Sequence, residues 1–104
     1  MRRVEYSLQA DKDLEDILAF SFSKFGEVQT IKYFKNLEAH IFKLANNPYI
    51  GKAQPEIEKT IRNFVYESHI VFYHFDDSKL RVERVLHGRS DYFSLKLIWI
   101  KDLA

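Results

Sequence analysis

Four residues with side chains suited to acid–base or phosphate chemistry lie in two stretches of the sequence. His87, Arg89 and Asp91 alternate within the stretch HGRSD, and Arg62 lies in an earlier segment rich in β-branched and aromatic residues. An imidazole exchanges protons near neutral pH, and a guanidinium can hold a carboxylate or a phosphate through two hydrogen bonds. If the protein cleaves RNA, His87 is the candidate proton carrier, and Arg62 and Arg89 are the candidates for holding the phosphate.

A hydrolytic site also needs a second proton-transfer group, and the sequence does not place one beside His87. Other roles for these residues therefore stay open. His87 can hydrogen-bond the turn at Gly88 and so fix the tail, and Arg62 can pair with Glu83 or Asp91 across a sheet. Each of them can also contact a partner protein.

The last strand-like segment is locally basic, with Lys79, Arg81, Arg84 and Arg89 offset by Glu83 and Asp91. Such a patch can meet the acidic face of a protein or a DNA backbone, but a solvated strand surface has the same composition.

The C-terminal tail is unusually apolar, with Leu95, Leu97, Ile98, Trp99 and Ile100 close together. Large exposed apolar patches mark interaction sites, and Trp is enriched in binding hot spots. We therefore expect residues 92–104 to be either an interaction element that includes Trp99 or a segment that completes the protein's own core. Their spacing fits neither the helical nor the strand period cleanly; a short helix is expected, with a strand as the alternative.

Composition limits the classes of protein that the chain can form. Its 104 residues predict one domain, 1–104. Lys and Arg total 16 against 15 Asp and Glu, and this balance argues against strong direct nucleic-acid binding. There is no Cys, and the four His lack ligand spacing, so we expect no metal or other cofactor. No apolar run reaches about 18 residues and no signal-peptide core is present, which predicts a cytoplasmic protein without a membrane span.

Hydrophobic periodicity predicts two helices after a short strand. Arg3 to Leu8 alternates apolar and polar residues, as a half-buried strand does. From Asp11 the spacing becomes helical, and Asp11 or Asp13 can cap the first turn. Gly26 is expected to end this helix, and a second helix is expected to stop at Asn46-Asn47-Pro48. The two helices should form an antiparallel hairpin.

The aromatic residues of this hairpin, which include Phe22, Phe25, Phe34 and Phe42, are expected mostly in its core. Phe20 lies off the main stripe and is expected to be exposed, where it can contact a partner protein or a second subunit.

The second half of the chain is typical of strands. Residues 48–59 predict a connecting loop, and Thr60–Glu67, His69–Phe75 and Leu80–Leu86 predict three strands. Tyr73 is expected in the core of the central strand. The fold class is therefore α+β in the order β-α-α-β-β-β, with the helix hairpin packed on a mainly antiparallel sheet of about four strands.

This order of elements resembles the ParE-type toxins of the RelE/ParE toxin–antitoxin superfamily. The motifs that carry the resemblance are Ala10-x-x-Asp13-Leu14-x-x-Ile17, Leu44-Ala45-Asn46-Asn47-Pro48-Tyr49-Ile50-Gly51, Ile61-Arg62-Asn63-Phe64, Ile70-Val71-Phe72-Tyr73 and Val82-x-Arg84-Val85-Leu86-His87-Gly88-Arg89. Together they extend from about Val4 to Asp91. The chain departs from the family pattern at Glu67-Ser68-His69, where a small or glycine-containing turn is more usual.

The resemblance implies a bacterial toxin of a type II toxin–antitoxin pair that inhibits DNA gyrase by binding it. It implies a cognate antitoxin that neutralises the toxin, and a homo-oligomer or a hetero-oligomer with that antitoxin. Two alternatives stay open: a RelE-like ribosome-dependent mRNA endoribonuclease, and a non-toxic member that only binds antitoxin. The candidate partner-binding residues are Arg62, Arg84, His87, Arg89, Asp91 and Trp99.

Overall fold

The computed structural model describes residues 2–55 and 58–87. A first strand, β1 (Arg3–Tyr6), leads into two helices, α1 (Leu8–Phe25) and α2 (Glu27–Asn46). After a 3₁₀ turn, the remaining strands are β2 (Lys52–Ala53), β3 (Arg62–Tyr66), β4 (His69–Phe75) and β5 (Lys79–His87). Neither helix of this described part has the length and apolar content needed to span a bilayer.

The five strands form one sheet in the order β1-β5-β4-β3-β2. β2, β3, β4 and β5 pair in antiparallel fashion, and β1 pairs with β5 in parallel, with Arg3 opposite Lys79 and Tyr6 opposite Val82. The predicted α+β class, the helix hairpin and the central position of His69–Phe75 are confirmed. The predicted count of four strands is wrong, because the two-residue β2 lies within the expected loop and is too short to give an alternating pattern.

Helix α1 begins earlier than predicted. Ser7 is its N-cap: the Ser7 hydroxyl accepts a hydrogen bond from the Ala10 N–H at 2.9 Å and donates one to the Glu83 carbonyl at 2.7 Å. The predicted caps, Asp11 and Asp13, therefore lie inside the helix. Sequence reasoning missed Ser7 because it was assigned to the strand that ends beside it.

Gly26 both ends α1 and precedes α2, as predicted. Its φ of 84° lies in the region that glycine adopts without strain, and its N–H donates to the Phe22 carbonyl at 3.0 Å. The close turn places α1 antiparallel to α2, and a buried hydrogen bond between the hydroxyls of Ser21 and Thr30 joins the two helices at 3.0 Å.

Both helices pack on one face of the sheet. The main core contains Leu37, Ile41 and Leu44 from α2 and the helix-facing residues of β4 and β5, which include Tyr73 as predicted. From α1, Leu14 and Ile17 pack against this cluster.

Much of the apolar surface of the helix hairpin lies outside this core. Phe22, Phe25 and Phe42, which were expected to be buried, are exposed, as are Leu18, Val28 and Ile31. The sheet contacts only one side of each helix, so an apolar stripe broader than that side extends into solvent. Phe20 is 63% exposed, which confirms its predicted position off the main stripe.

Candidate functional site

Arg62 and His87, the two described residues of the predicted ribonuclease site, lie beside opposite halves of β4. Arg62 pairs with Tyr73 at one end, and His87 pairs with His69 at the other. Tyr73 lies four positions after His69 on the extended strand, a distance of roughly 13 Å. The structure therefore separates Arg62 from His87 along the sheet, and Arg89 lies outside the described residues, so their joint role in a ribonuclease site stays a prediction.

Arg62 holds the loop that follows α2. Its guanidinium donates to the Gly51 carbonyl from Nε at 3.1 Å and from Nη2 at 2.5 Å, and to the Tyr49 carbonyl at 3.3 Å. It also lies over the Tyr49 ring, 5.4 Å from the centroid. The expected pairing of Arg62 with Glu83 is wrong, because Glu83 binds His74 and Arg81 instead.

Tyr73 reinforces the same loop from the core. Its hydroxyl donates to the Pro48 carbonyl at 2.6 Å and accepts from the Gly51 N–H at 3.0 Å. Burial raises the pKa of Tyr73, so the phenol stays protonated at neutral pH and remains available as a donor. The exposed side chains of Tyr49 and Ile50 are thus presented on a loop with a fixed backbone.

Arg84 and Asp13 form a bidentate ion pair that holds α1 against β5. Asp13 accepts from Arg84 Nε at 2.8 Å, from Arg84 Nη2 at 3.2 Å and from the Val85 N–H at 3.0 Å. Both side chains are largely buried. Arg84 thus has a structural role that the sequence did not predict, since its partner lies on the first helix.

The other described basic residues predicted for the last strand, Lys79 and Arg81, also have acidic neighbours. Lys79 and Arg81 lie near Glu5, and Arg81 Nε lies 2.7 Å from Glu83. The hydrogen bond from His74, followed by that from Arg81, lowers the pKa of Glu83. These ion pairs favour the interpretation of this segment as a solvated strand surface over its interpretation as a basic patch that binds a partner.

At the other end of β4 lies an open cavity of about 550 Å³ between the helix hairpin and the sheet. Its apolar walls come chiefly from α1, and its polar residues come from both helices, the β3–β4 turn, the start of β4 and the end of β5. The lining residues are Asp16, Ile17, Phe20, Ser21, Lys24, Phe25, Gln29, Tyr33, Glu67, Ser68, His69 and His87.

Three titratable rings meet in this cavity. The Tyr33 hydroxyl lies 2.5 Å from His69 Nδ1, and the edge of one imidazole faces the other with the His69 and His87 centroids 5.7 Å apart. Burial, with a smaller contribution from His87, lowers the pKa of His69, and burial raises the pKa of Tyr33 to about 12. At neutral pH the Tyr33–His69 pair is therefore uncharged.

The sequence did not identify His69 and Tyr33 as site residues. The hairpin turn at Asp76-Asp77-Ser78 predicts that His69 pairs near the end of β5, but an irregularity between Phe72 and Tyr73 shifts the register by one residue and places His69 opposite His87 instead of Leu86. Tyr33 lies on a helix, and no sequence pattern predicts its contact with β4. Glu67, in the adjoining turn, has a φ of 52°, which is unusual for a residue other than glycine.

The lowered pKa of His69 predicts a fall in stability as the pH decreases. The unfolded chain binds a proton at His69 near the ordinary pKa of 6.5, whereas the folded chain binds it only at lower pH. The free energy of unfolding should therefore decrease from about pH 7 downward, and His69→Asn should flatten this dependence. Urea denaturation at several pH values measures it, with His40→Asn, on α2, as the control. An unchanged pH dependence in His69→Asn would contradict the prediction.

The remaining site predictions cannot be placed. Arg89, Asp91 and Trp99 lie outside the described residues, as does the predicted interaction element 92–104. Within residues 2–55 and 58–87, no three His, Asp or Glu side chains gather as metal ligands would.

Comparison with known proteins identifies the family. The family described as "ParE toxin of type II toxin-antitoxin system, parDE" matches residues 4–92. Toxin ParE1 of Caulobacter vibrioides is 31% identical over 87 residues, which cover 84% of this chain and 90% of that protein. Toxin ParE1 of Mycobacterium tuberculosis is 35% identical over 83 residues, which cover 79% of this chain and 85% of that protein.

Solved structures agree with this assignment at the level of the fold. A chain of the chromosomal ParDE system from P. aeruginosa superposes with a TM-score of 0.71 at 15% identity, covering 84% of this chain and 96% of that chain. A chain of the E. coli DinJ-YafQ toxin–antitoxin complex gives a TM-score of 0.52 at 24% identity, covering 88% and 97%. With its helix hairpin, its mixed sheet and a family match that spans nearly all of its length, the chain belongs to the ParE toxin family of type II toxin–antitoxin systems.

Proposed function

We propose that this protein is a growth-arresting toxin that acts in the bacterial cytoplasm by binding DNA gyrase, and that a cognate antitoxin neutralises it in a hetero-oligomer. The observation that carries this proposal is the family match over residues 4–92, together with the names of the ParE1 relatives. The activity needs no cofactor, since the toxin acts through its surface.

The exposed apolar surface of the helix hairpin supports the antitoxin part of the proposal. Leu18, Phe22 and Phe25 follow one another at helical spacing on α1, and Val28 and Ile31 continue the surface on α2. We call these five residues the hairpin patch. Contiguous exposed apolar side chains of this kind mark protein–protein contacts. A partner segment that covers the hairpin patch would remove it from water and occupy one face of the toxin.

The test of gyrase inhibition uses the purified chain with gyrase and plasmid DNA. We expect the chain to reduce supercoiling and to accumulate linear, cleaved plasmid, and we expect added antitoxin to reverse both effects. Linear plasmid would support a gyrase poison. Growth arrest in cells without any effect on purified gyrase would overturn the gyrase assignment, and the absence of growth arrest would favour the non-toxic alternative.

Variants of the hairpin patch test the antitoxin surface separately. Phe22→Ser should weaken binding of the antitoxin encoded with this chain at least tenfold while leaving the circular dichroism spectrum unchanged, because Phe22 is outside the core. Leu8→Ser is the matched control, since Leu8 is also exposed and lies at the other end of α1. Equal antitoxin affinity of Phe22→Ser and wild type would place the antitoxin elsewhere on the toxin.

Ribosome-dependent mRNA cleavage is the second candidate function, and one observation favours it. His69 and Tyr33 supply, next to His87, the additional proton-transfer groups that an RNA-cleaving site needs. The candidate cation for a phosphate is then Lys24, which lines the same cavity, rather than Arg62. Primer extension on translated mRNA tests this function. Cleavage by the wild type that is lost in both His87→Gln and His69→Gln would establish it, and absence of cleavage by the wild type would exclude it.

A further inference from the structure

Two arginines enclose two aromatic rings at the C-terminal end of α2. The Arg62 guanidinium lies over the Tyr49 ring, 5.4 Å from its centroid, and the Tyr49 and Phe75 rings meet at a steep angle with their centroids 5.2 Å apart. Beyond them, the Arg2 guanidinium lies 5.2 Å from the centroid of Phe75. We call these four residues the arginine–aromatic row. It joins the start of β3, the loop after α2, the end of β4 and the residue before β1.

Backbone carbonyls hold both guanidiniums of the row in position. Arg62 donates to two carbonyls of the loop after α2, as described above. Arg2 donates to the Asp76 carbonyl at 2.7 Å and to the Ala45 carbonyl, in the last turn of α2, at 3.3 Å. Stacking on an aromatic ring restricts each guanidinium further. The two charges are therefore fixed before a partner binds, so binding loses little side-chain entropy.

Within residues 2–55 and 58–87, neither arginine of the row forms an ion pair with a carboxylate. The other arginines of these ranges each form one: Arg3, Arg81 and Arg84. The carboxylate of Asp76, next to Arg2, accepts instead from the N–H groups of its own turn. The row thus places two positive charges beside aromatic carbon, and Tyr49 is 69% exposed.

The chemistry of the row favours a carboxylate over a nucleic acid. A guanidinium already lies over each ring, which leaves less ring surface on which a base could stack. DNA is bound through several phosphates at once, whereas the row has two cations and those of β5 are ion-paired. Among the described residues, Nη1 of Arg62 and Nη2 of Arg2 have no hydrogen-bond acceptor, so each can donate to a carboxylate.

We propose that the arginine–aromatic row binds an acidic segment of the antitoxin, with carboxylates on Arg62 and Arg2 and an apolar side chain against Tyr49. Tyr and Arg are the residue types that most often dominate the binding energy of protein interfaces. This inference rests on the proposed function and deepens it, because it names a second surface for the antitoxin and the charge that the antitoxin carries there.

Helix α2 connects the row to the hairpin patch. Ile31, which belongs to the patch, and Phe42 are both exposed and lie about three turns apart on the same face of α2. From Ile31 to Ala45, beside the row, α2 extends about 21 Å, which about six residues of extended chain span. A single antitoxin segment along α2 can therefore cover the hairpin patch with apolar side chains and reach the row with carboxylates.

The first test measures the affinity of the full-length chain for the antitoxin encoded with it, by isothermal titration calorimetry. Arg2→Gln should weaken binding about fivefold at low salt, because one partly exposed charge pair is lost. The difference should shrink at about 1 M NaCl, where such pairs are screened. Arg3→Gln is the matched control, since Arg3 is exposed and already paired with Glu5, and it should change the affinity less than about twofold. Equal affinities of Arg2→Gln and Arg3→Gln at low salt would overturn the proposal.

NMR of the arginine Nε–H groups tests the contact directly, without altering the loop that Arg62 holds. On addition of antitoxin, the signals of Arg2 and Arg62 should shift, and that of Arg84, largely buried in its pair with Asp13, should not. The spectrum of Arg2→Gln assigns the Arg2 signal by its loss. Signals of Arg2 and Arg62 that stay in place in the complex would overturn the proposal.

Other occupants of the row are outcomes of the same variants. A DNA duplex bound by the wild type but not by Arg2→Gln would assign the row to nucleic acid. Loss of gyrase inhibition in Arg2→Gln with unchanged antitoxin affinity would assign it to gyrase, and either result would overturn the proposal. A wild type that leaves gyrase unaffected contradicts the proposed target alone. Unchanged antitoxin binding by Arg2→Gln contradicts the row alone, and a wild type that binds no antitoxin contradicts both.

Discussion

Replacing Asp13 by Ala is expected to lower the free energy of unfolding by about 3 kcal/mol, since removing one partner of a buried ion pair is strongly destabilising. The Asp13 carboxylate accepts two hydrogen bonds from Arg84 and one from the Val85 N–H, and both side chains of the pair are largely buried. Without it, the charge of Arg84 loses its partner on α1 and the Val85 N–H loses its acceptor. Urea denaturation followed by circular dichroism measures the effect.

Two further variants make this prediction specific. Asp13→Asn keeps one carbonyl oxygen as an acceptor and should cost less than Asp13→Ala, about 1–2 kcal/mol. Asp16→Ala, one turn later on α1, removes an exposed carboxylate and should change the stability by less than about 0.5 kcal/mol. If Asp13→Ala were as stable as Asp16→Ala, the ion pair would not be what holds α1 to β5.

The second large effect is expected at Gly51, where a methyl group has no room. A Cβ at this position would lie 2.7 Å from the Asn63 carbonyl oxygen and 2.8 Å from Cε1 of Tyr73, and would also overlap the Tyr73 hydroxyl. The Asn63 oxygen belongs to the backbone of β3, so it cannot rotate away. Gly51→Ala should therefore destabilise the protein by about 2–3 kcal/mol.

A double variant tests this explanation. Tyr73→Phe removes the hydroxyl that the new methyl group would meet, but it leaves the ring and the Asn63 carbonyl in place. The combination of Gly51→Ala with Tyr73→Phe should thus be less destabilising than the sum of the two single changes. Strict additivity in thermal unfolding would show that the hydroxyl takes no part in the clash.

The sequence was informative where local chemistry decides the structure. Gly26 has to separate the helices because few other residues tolerate its backbone angles, and Pro48 cannot continue α2. The turn at Asp76 is equally local, since its carboxylate accepts from the Ser78 and Lys79 N–H groups and fixes the pairing of the adjoining ends of β4 and β5. These features predicted the hairpin of helices and the central strand correctly.

Predictions failed where a contact joins residues that are distant in sequence. The helical spacing of Phe22 and Phe25 predicts an apolar stripe, but the sheet determines how much of that stripe is covered. Arg62 was expected to pair with a carboxylate, whereas its acceptors are backbone carbonyls of the loop after α2. Every residue has a backbone carbonyl, so the residue types of the loop do not predict this contact. The pairing of Asp13 with Arg84 likewise depends on how α1 lies across β5, which periodicity alone does not specify.

The parallel pairing of β1 with β5 has a consequence for the time at which the toxin can form. β1 leaves the ribosome before both helices, but its hydrogen-bonding partner is β5, the last described strand, with Arg3 opposite Lys79. This contact has high sequence separation, so closing it carries a large entropic cost, and it cannot form until β5 has been synthesised. The helix hairpin can form earlier from local contacts alone. We therefore expect an incomplete chain that stops before β5 to lack the finished sheet, so that the native toxin forms only after β5 has left the ribosome.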